Sequence, residues 1–587
     1  MKKKIIFIMS LAVTLFVAAS CSNKNYKTYD KELSVISLNG YSEDNEEAEA
    51  VNLKDITYDG KMTLKFIEGE DYIPYIDVES YYTFIPESCA KGCKYADTKD
   101  EVDFIFELNN KKATVRILTK LEQIIFENQL AFIATEDDDT TSSALRTKYT
   151  PTYDTKNIKD YVINYKEYGF KTFRENDKTY LPLAFLDPLI NASHVTGVFY
   201  NYDKLFTYSD PAALASFKYL DNGKETTAIL DMKNKTTDVM PEYLRLFNKN
   251  YLYFIFDNFY GLKEQKGITK MSSYFESLDY SKMLLSDNAE VRGDAINLML
   301  STLDDNHTAL INGADAWHED NFKVLPQSMI KDRTLLMKIL SDERNRVYKE
   351  LNLNLNGVRY AKDGKTALIT LDAFNEDNHP YDANKKVKTD EVLAESDQFF
   401  KLLTNLKEID KKGGVSNVII DMSVNRGGTS IVMTKILNLI NKTNNGTITL
   451  HDSNSNTNLT MTTQIDSNND GKYDDNDVYG NKFKFFILTS PIAFSCGTAM
   501  PFFVSHQKLG YIIGQTQGGG ECAISQIALP NGQVVCYSSS MHVYTIEDDK
   551  MIGDEAGVDV DLPFSYYDFY DIEKLEKKIY EYEKLFK

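Results

Sequence analysis

Ser495 is a candidate nucleophile because of its position between a predicted strand and a predicted helix. It follows an apolar run with strand character and opens a stretch whose apolar residues recur at helical spacing. A serine at a helix N-terminus lies in the positive potential of unpaired N–H groups, which favours an oxyanion beside it. The same position suits an ordinary N-cap serine. Taken alone, Ser495 therefore predicts either a nucleophile or a helix cap.

Gly427 and Gly428 follow a second buried-type run, and glycine at such a point lets backbone N–H groups approach a ligand closely. One of these N–H groups, together with that of Cys496, would form an oxyanion hole. The alternative is a plain strand-to-helix turn. In either case Asp421 and Asn425 are predicted to brace the turn rather than take part in chemistry.

A nucleophilic serine needs a base, and His307 is the favoured candidate among the seven histidines. It follows a predicted helix and stands among short polar residues that can orient a ring; the alternative is a structural histidine. Lysine is disfavoured as the base. Lys508 lies on the helix that Ser495 opens, and a rise of about 1.5 Å per residue carries it far from the N-terminus. Lys550 lies in an acidic segment that we expect to be exposed.

The acidic segment 466–477 has the spacing of a calcium-binding loop. Oxygen ligands at its first, third, fifth, ninth and twelfth positions, a backbone carbonyl at the seventh and glycine at the sixth fit that pattern. Its flanks do not read as two helices, so an EF-hand pair is not predicted. The alternative is a solvated acidic hairpin. The predicted ligands of a structural Ca²⁺ are Asp466, Asn468, Asp470, Lys472, Asp474 and Asp477.

The N-terminal residues have the pattern of an export signal. Three lysines precede an apolar run that is too short for an ordinary membrane span, and small residues then lead to Cys21. This order predicts a lipoprotein signal over 1–20 and acylation of Cys21; the alternative is a plain secretory signal. The expected location is the extracytoplasmic face of the cell membrane.

Export permits disulfides among the remaining cysteines. Five of the six cysteines are left after Cys21, so at least one of them has no partner within the chain. Cys89 could pair with Cys93, and Cys522 with Cys536 or Cys496.

The acidic composition of the chain disfavours negatively charged partners. The formal net charge of −21 and the pI near 4.9 disfavour nucleic acid and anionic membrane surfaces. At 587 residues the chain is too long for one core, so several domains are expected.

The order of the patterns predicts the following divisions: 1–20 signal, 21–50 acidic tether, 51–134 and 146–235 small α+β accessory domains, 236–345 a helical region carrying the histidine, and 355–587 an α/β domain of alternating strands and helices. Two segments, 72–76 and 180–183, resemble each other and suggest either a weak duplication or coincidence.

The motifs together resemble one family. Asp-x-His-Thr at 305–308, Asp-x-x-x-Asn-x-Gly-Gly at 421–428, and strand–Ser–helix followed by Gly-x-Thr-x-Gly-Gly at 514–519 occur in the order found in the S41, or C-terminal-processing, peptidases. The resemblance implies a crotonase/ClpP-like α/β catalytic core, here with α+β N-terminal accessory domains. It also implies hydrolysis of peptide bonds in proteins or peptides, with no cofactor for catalysis.

The resemblance also implies a catalytic subtype. The glycine-rich segment lacks the lysine of the Ser–Lys enzymes, so the chain resembles the tricorn-like subtype, which uses serine, histidine and a later acidic residue. That acid would be Asp554 by spacing, with Glu555 as the alternative. Arg426 and Cys496 stand where the family often has small residues. A non-hydrolytic ligand-binding lipoprotein on the same fold is the second hypothesis, and a surface scaffold the third.

Overall fold

The structure is a computed structural model. It describes residues 26–585 apart from 39–50, 53–57, 85–93, 109–110, 128–139, 143–145, 155–156, 191–196, 209, 222, 234–235, 238, 314, 319–327, 378–385 and 548–549. The predictions for Cys21, Cys89 and Cys93 lie outside the described residues. No described helix combines the length and apolar character needed to cross a bilayer.

The N-terminal part of the chain is mainly β-structure with short helices. Its elements are β1 (Thr28–Ser37), β2 (Val51–Asn52), β3 (Tyr58–Ile67), β4 (Tyr75–Asp77), α1 (Val78–Tyr82), β5 (Lys94–Asp97), β6 (Glu101–Leu108), β7 (Lys111–Leu118), β8 (Gln123–Glu127), β9 (Thr140–Ser142), β10 (Thr147–Asp154), β11 (Tyr161–Asn164), β12 (Phe173–Glu175), β13 (Lys178–Pro182), α2 (Leu183–Ile190), β14 (Gly197–Tyr200), β15 (Leu205–Tyr208), α3 (Ala213–Ser216), β16 (Tyr219–Asp221), β17 (Lys224–Thr226) and α4 (Ala228–Lys233).

The remainder alternates helices and strands. Its elements are α5 (Glu242–Phe259), α6 (Met271–Ser277), α7 (Tyr280–Leu284), α8 (Ala289–Ser301), β18 (Ala309–Asn312), α9 (Ser328–Glu350), β19 (Arg359–Tyr360), β20 (Thr366–Thr370), α10 (Asp390–Leu393), α11 (Gln398–Lys412), β21 (Asn417–Asp421), α12 (Ser430–Leu439), β22 (Gly446–Asp452), β23 (Thr457–Ile465), β24 (Lys484–Thr489), α13 (Cys496–His506), β25 (Gly510–Gly514), β26 (Cys522–Ala528), β27 (Val534–Glu547), β28 (Lys550–Gly553), β29 (Leu562–Pro563) and α14 (Ile572–Lys584).

The predicted tether at 21–50 contains a strand. β1 pairs with β3 and β15 inside a seven-stranded sheet of order β12–β13–β4–β3–β1–β15–β14. The tether prediction is therefore wrong for this stretch. The physical reason is tertiary: Leu33, Val35 and Ile36 are buried, because the sheet partners of this short apolar stretch cover it.

The two predicted accessory domains share their sheets. β13 pairs antiparallel with β4, so the resembling segments 72–76 and 180–183 lie side by side, each leading into a helix. A second sheet, of order β11–β8–β7–β6–β5, also takes strands from both units. The division between 134 and 146 therefore does not separate two independent sheets, since the pairing partners are distant in sequence.

A further sheet joins the N-terminal part to the histidine segment and the C-terminal strands. Its path is β18–β27–β22–β23–β10–β9, with β26 and β28 also paired to β27. β10, which the sequence placed in an accessory domain, pairs along its whole length with β23. The segment 140–142, which lies between the two predicted accessory domains, forms the edge strand of this sheet.

The C-terminal α/β domain is built on a mainly parallel sheet of order β19–β20–β21–β24–β25–β29. Within this sheet only β19 runs antiparallel. Helices cover both faces, so the middle residues of its central strands are apolar. In β21, Val418 and Ile420 face α11, α12 and α13, while Ile419 faces α9 and α14. The predicted α/β core with mixed N-terminal structure is confirmed.

Candidate active site

Ser495 lies beyond the carboxyl end of β24, immediately before α13. The glycine pair follows the neighbouring strand β21, and the glycine-rich segment follows β25 on the other side. Carboxyl ends of adjacent parallel strands share one sheet edge, which is where ligands bind in open α/β sheets. The topology therefore brings together the two motifs that the sequence places about 70 residues apart.

The backbone of Ser495 is strained. It has φ 55° and ψ −130° and makes no side-chain cap bond to its helix. Non-glycine residues held in such conformations cost on the order of 1–3 kcal/mol and cluster at functional sites. The N-cap alternative is therefore disfavoured, because the side-chain oxygen of a capping serine would accept a hydrogen bond from a first-turn N–H group.

Gly427 packs directly against the serine. It has φ +103°, and a Cβ there would lie 2.9 Å from the Ser495 Cβ and 3.2 Å from the Cys496 nitrogen. Its own N–H donates to Asn425 Oδ1 at 2.8 Å, while Asn425 Nδ2 donates to the Leu371 carbonyl. Asn425 thus braces the turn as predicted, and the Gly427 N–H is already engaged.

Two other N–H groups beside the serine are not engaged. The N–H groups of Gly428 and Cys496 donate no hydrogen bond to any described residue. Gly428 is exposed, so its N–H is accessible to a ligand. Of the three predicted oxyanion-hole residues, these two retain a free donor.

The loop after β25 supports the serine from the other side. The Ser495 N–H donates to the Gly519 carbonyl at 2.9 Å, and a Cβ at Gly520 would lie 2.7 Å from the Ser495 nitrogen. Gln517 connects this loop to its neighbours: its Nε2 donates to Thr489 Oγ1 and its Oε1 accepts from Val558 N–H. Sequence reasoning gave Gln517 no role, although it lies within the glycine-rich motif.

His307 lies next to Phe494, the residue that precedes Ser495. Its ring makes an edge contact with Phe494, with 4.7 Å between centroids, and its side chain is buried. Neither ring nitrogen makes a hydrogen bond of ordinary geometry with a described residue. Burial lowers the pKa of His307, against the opposing effects of the Asp305 charge and the nearby backbone of Cys522. The neutral imidazole, which is the form that accepts a proton, is favoured.

Asp305 organises the turn that presents His307. Its Oδ1 accepts from the His307 N–H at 3.0 Å and its Oδ2 from the Thr308 hydroxyl at 2.6 Å. Thr308 Oγ1 in turn accepts from the Ser538 N–H, which ties the turn to β27. The sequence motif contained Asp305 without showing this role; the Asp-x-x-Thr spacing typical of a local side-chain turn was the available signal.

The two candidate acids differ in their bonding. Glu555 Oε2 accepts from the N–H groups of Gly520 and Glu521, at 2.9 and 3.1 Å. Asp554 is fully buried, and neither of its oxygens has a partner outside its own residue. Burial, followed by the charges of Glu521 and Glu555, raises the pKa of Asp554 well above its usual range. No hydrogen bond links either acid to His307 among the described residues.

The lysines lie away from the serine. Lys508 is exposed and lies beyond the end of the eleven-residue helix α13, roughly 16 Å from its start by helix rise. Lys550 is exposed on β28. Arg426 is exposed as well.

The described cysteines are free thiols. Cys496, Cys522 and Cys536 form no disulfide with one another. Cys522 pairs with His542 across the ladder, whereas Cys536 pairs with Gln526, so the two thiols are several residues apart along β26 and β27. Burial raises the pKa of the Cys496 thiol to about 12.

The predicted calcium loop is a turn closed by its own carboxylates. Asp466 accepts from the N–H groups of Asp470 and Gly471, and Asp477 from those of Asn468 and Asp474.

The inner and outer ligands of this loop differ in exposure. Asp466 and Asp477 are buried, while Asn468, Asp470 and Lys472 are exposed and Asp474 is half-buried. The carboxylates of Asp466 and Asp477 are already inside the loop, whereas those of Asp470 and Asp474 would have to turn inward to bind a cation.

Residues 365–563 match the family model described as peptidase family S41. The chain carries a peptidase family S41 domain. The family resemblance read from the motifs is confirmed, and peptidases of this family act on proteins or peptides. The matched residues include Ser495, the glycine pair and both candidate acids, whereas His307 lies outside them.

A comparison with solved structures matches this chain to several proteins, including the following three. A candidate peptidase from Parabacteroides merdae is 18% identical, with a TM-score of 0.37, covering 54% of this chain and 88% of that one. A lipoprotein from Streptococcus agalactiae is 13% identical, with a TM-score of 0.34, covering 58% and 98%. The tricorn protease is 11% identical, with a TM-score of 0.32, covering 96% and 55%. No curated protein matches the chain significantly.

Proposed function

We propose that this S41 domain is a serine peptidase that uses Ser495 as nucleophile and His307 as base. The observation that carries the proposal is the pairing of a strained, uncapped serine with a buried histidine whose ring nitrogens are unpartnered. The His307 ring contacts Phe494, the residue that precedes Ser495. A buried histidine whose ring nitrogens make no hydrogen bond of ordinary geometry is difficult to explain as a packing residue, because buried polar atoms are normally hydrogen-bonded.

In the proposed reaction the Ser495 hydroxyl attacks the peptide carbonyl carbon while His307 accepts its proton. The oxyanion would be bound by the N–H groups of Gly428 and Cys496. Collapse of the tetrahedral intermediate breaks the C–N bond as His307 returns the proton to the leaving amine. Water then attacks the acyl ester with His307 again as base, which releases the new carboxyl end and restores the serine.

Asp554 is the favoured orienting acid. Glu555 is committed to two backbone N–H groups that hold the loop beside Ser495, so its replacement would disturb that loop. Asp554 has both oxygens available. If the His307 imidazolium forms beside it, the opposite charge would favour the ionised Asp554 carboxyl.

Labelling by a fluorophosphonate probe tests the nucleophile. Wild type should label stoichiometrically, Ser495→Ala should not label at all, and Ser505→Ala, a serine later in the same helix, should label as wild type does. If the folded wild type takes up no label, the alternative of a non-hydrolytic binding protein on this fold is favoured. Labelling that survives Ser495→Ala would place the nucleophile elsewhere.

We also propose that the loop 466–477 binds a structural calcium ion. Two buried carboxylates, Asp466 and Asp477, lie in the loop without a lysine or arginine ion pair in the described part of the chain. The oxygen ligands suit a hard cation. The role would be to fix the hairpin that follows β23 rather than to act in catalysis.

For the location we propose a lipid anchor at Cys21 on the extracytoplasmic face of the membrane. The support is the order of basic, apolar and small residues before this cysteine. Cys21→Ala should move the protein from the detergent phase to the aqueous phase. A single acyl chain binds membranes only marginally, so several chains are expected on Cys21. Unchanged partitioning of the variant would contradict the anchor.

A further inference from the structure

A second group of reactive side chains lies beside the hydrolytic site. Glu521, Cys522 and His542 each offer a ligand-type atom, and the three atoms lie within 4.8 Å of one another. His542 Nδ1 is 2.7 Å from Glu521 Oε1 and 3.5 Å from Cys522 Sγ. The pairing of Cys522 with His542 across β26 and β27 fixes this arrangement in the sheet.

The geometry does not suit a second nucleophilic triad. Both the thiol and the carboxylate approach the same ring nitrogen, Nδ1, whereas a triad requires the acid and the nucleophile on opposite nitrogens. Three donor atoms that converge on one point are instead the arrangement of ligands around a metal ion. We propose that Glu521, Cys522 and His542 form a zinc-binding site.

Ligand chemistry and spacing favour zinc. Thiolate, imidazole and carboxylate are its usual ligands, at about 2.3, 2.0 and 2.1 Å in tetrahedral geometry. Those bond lengths imply separations of about 3.5 Å between sulfur and nitrogen and about 3.3 Å between nitrogen and oxygen. The sulfur–nitrogen separation already matches, and His542 and Glu521 would have to separate by about 0.6 Å, within the reach of a glutamate side chain.

The surroundings support the ligands on several sides. Gln265 Nε2 donates to Glu521 Oε1, and the Glu555 N–H donates to Glu521 Oε2. Such outer bonds orient metal ligands. Glycines keep the site open: a Cβ at Gly553 would lie 2.0 Å from Glu521 Oε2, and one at Gly261 would lie 3.1 Å from Cys522 Sγ.

The carboxylates at this site also favour a bound cation. The Glu521 carboxylate is buried, and its side-chain partners are His542 and Gln265. Neither Glu521, Asp554 nor Glu555 pairs with a lysine or arginine among the described residues. A dication would supply the missing positive charge. The His542 side chain, 12% exposed, gives an ion a way in.

Cobalt(II) gives a direct readout, because thiolate ligation produces a charge-transfer band in the near ultraviolet. Reduced, metal-free full-length protein titrated with Co²⁺ should develop this band up to one equivalent and lose it on addition of Zn²⁺. Cys522→Ser should abolish the band, and His542→Gln should weaken Co²⁺ binding by about 10-fold or more. Cys536→Ser, which removes a buried thiol from the same sheet, should keep the band.

No band with folded wild type, or a band that persists in Cys522→Ser, would overturn the proposal. If Cys522→Ser does not fold, alkylation of wild type replaces it: Zn²⁺ should protect Cys522 but not Cys536 from iodoacetamide, as read by peptide mass spectrometry. Equal modification of Cys522 with and without Zn²⁺ would also overturn it. Neither readout depends on peptidase activity.

Discussion

Replacing Gly427 by alanine should damage catalysis while leaving the fold largely intact. The new Cβ would lie 2.9 Å from the Ser495 Cβ, whereas carbon atoms pack at about 3.5–4.0 Å. Ser495 or Gly427 must therefore move by at least about 0.6 Å. A misplacement approaching 1 Å costs on the order of 10²-fold in rate. We expect kcat for peptide cleavage to fall by about 10- to 100-fold in Gly427→Ala.

Backbone strain has to be separated from this contact. Alanine at φ +103° is strained wherever it occurs, at a cost of about 1–3 kcal/mol. Gly60 is the matched control: it has φ +106°, and a Cβ there would have nothing within 4 Å. Gly60→Ala should lose a similar amount of stability and keep its kcat.

The assay is hydrolysis of a labelled unfolded protein, such as casein, with rates divided by the folded fraction from circular dichroism. Gly427→Ala should show a lower kcat with KM changed less, since the substrate-binding surface is retained. Equal kcat losses in Gly427→Ala and Gly60→Ala, or an unchanged kcat in folded Gly427→Ala, would refute the placement of Gly427 against the nucleophile.

Three further predictions follow from the site. Because burial lowers the pKa of His307, and the neutral ring is the active form, activity should fall with acidification only below the ordinary histidine pKa of about 6.5; a midpoint clearly above it would contradict the assignment. Asp554→Asn should lower kcat by about 10²-fold or more with stability little changed, whereas Glu555→Gln should also lower the melting temperature; the reverse pattern would exchange their roles. Millimolar Ca²⁺ should raise the melting temperature by about 2–5 °C in wild type and not in Asp470→Ala, and no shift in wild type would leave the loop an acidic hairpin.

The catalytic domain was predictable because its signals are local. Its central parallel strands are short apolar runs, and those that precede the glycine pair and Ser495 are each followed by a motif and then a helix. β24 and β21 are the apolar runs before Ser495 and before the glycine pair, and α13 follows Ser495 as predicted. The rule that such strands align in parallel then brings their carboxyl ends to one edge.

The N-terminal part was less predictable because its sheets pair residues far apart in sequence. β1 pairs with β15 across about 170 residues, and no local pattern encodes such a partner. The ten-residue strand β1 follows a polar, lysine-rich stretch, so composition favoured a tether. Only the presence of its partners makes burial of Val35 and Ile36 possible.

Within the site, residue types were predictable and bonding was not. The sequence indicated both glycines of the turn, but only the structure shows that Asn425 occupies the Gly427 N–H and leaves that of Gly428 free. The same holds for Glu555, whose backbone bonds depend on the loop after β25. Hydrogen bonds between separate loops are set by tertiary packing, which spacing alone does not encode.

The most direct test of the mechanism is the rate of cleavage of one peptide substrate by wild type, Ser495→Ala, His307→Ala and the double variant. Each single replacement should lower kcat by several orders of magnitude, roughly 10⁴–10⁶-fold, and the double variant should lose little more, because the two residues act as a unit. Lys508→Ala should retain most of the activity. Substantial hydrolysis by His307→Ala would contradict the account and assign the base to another residue.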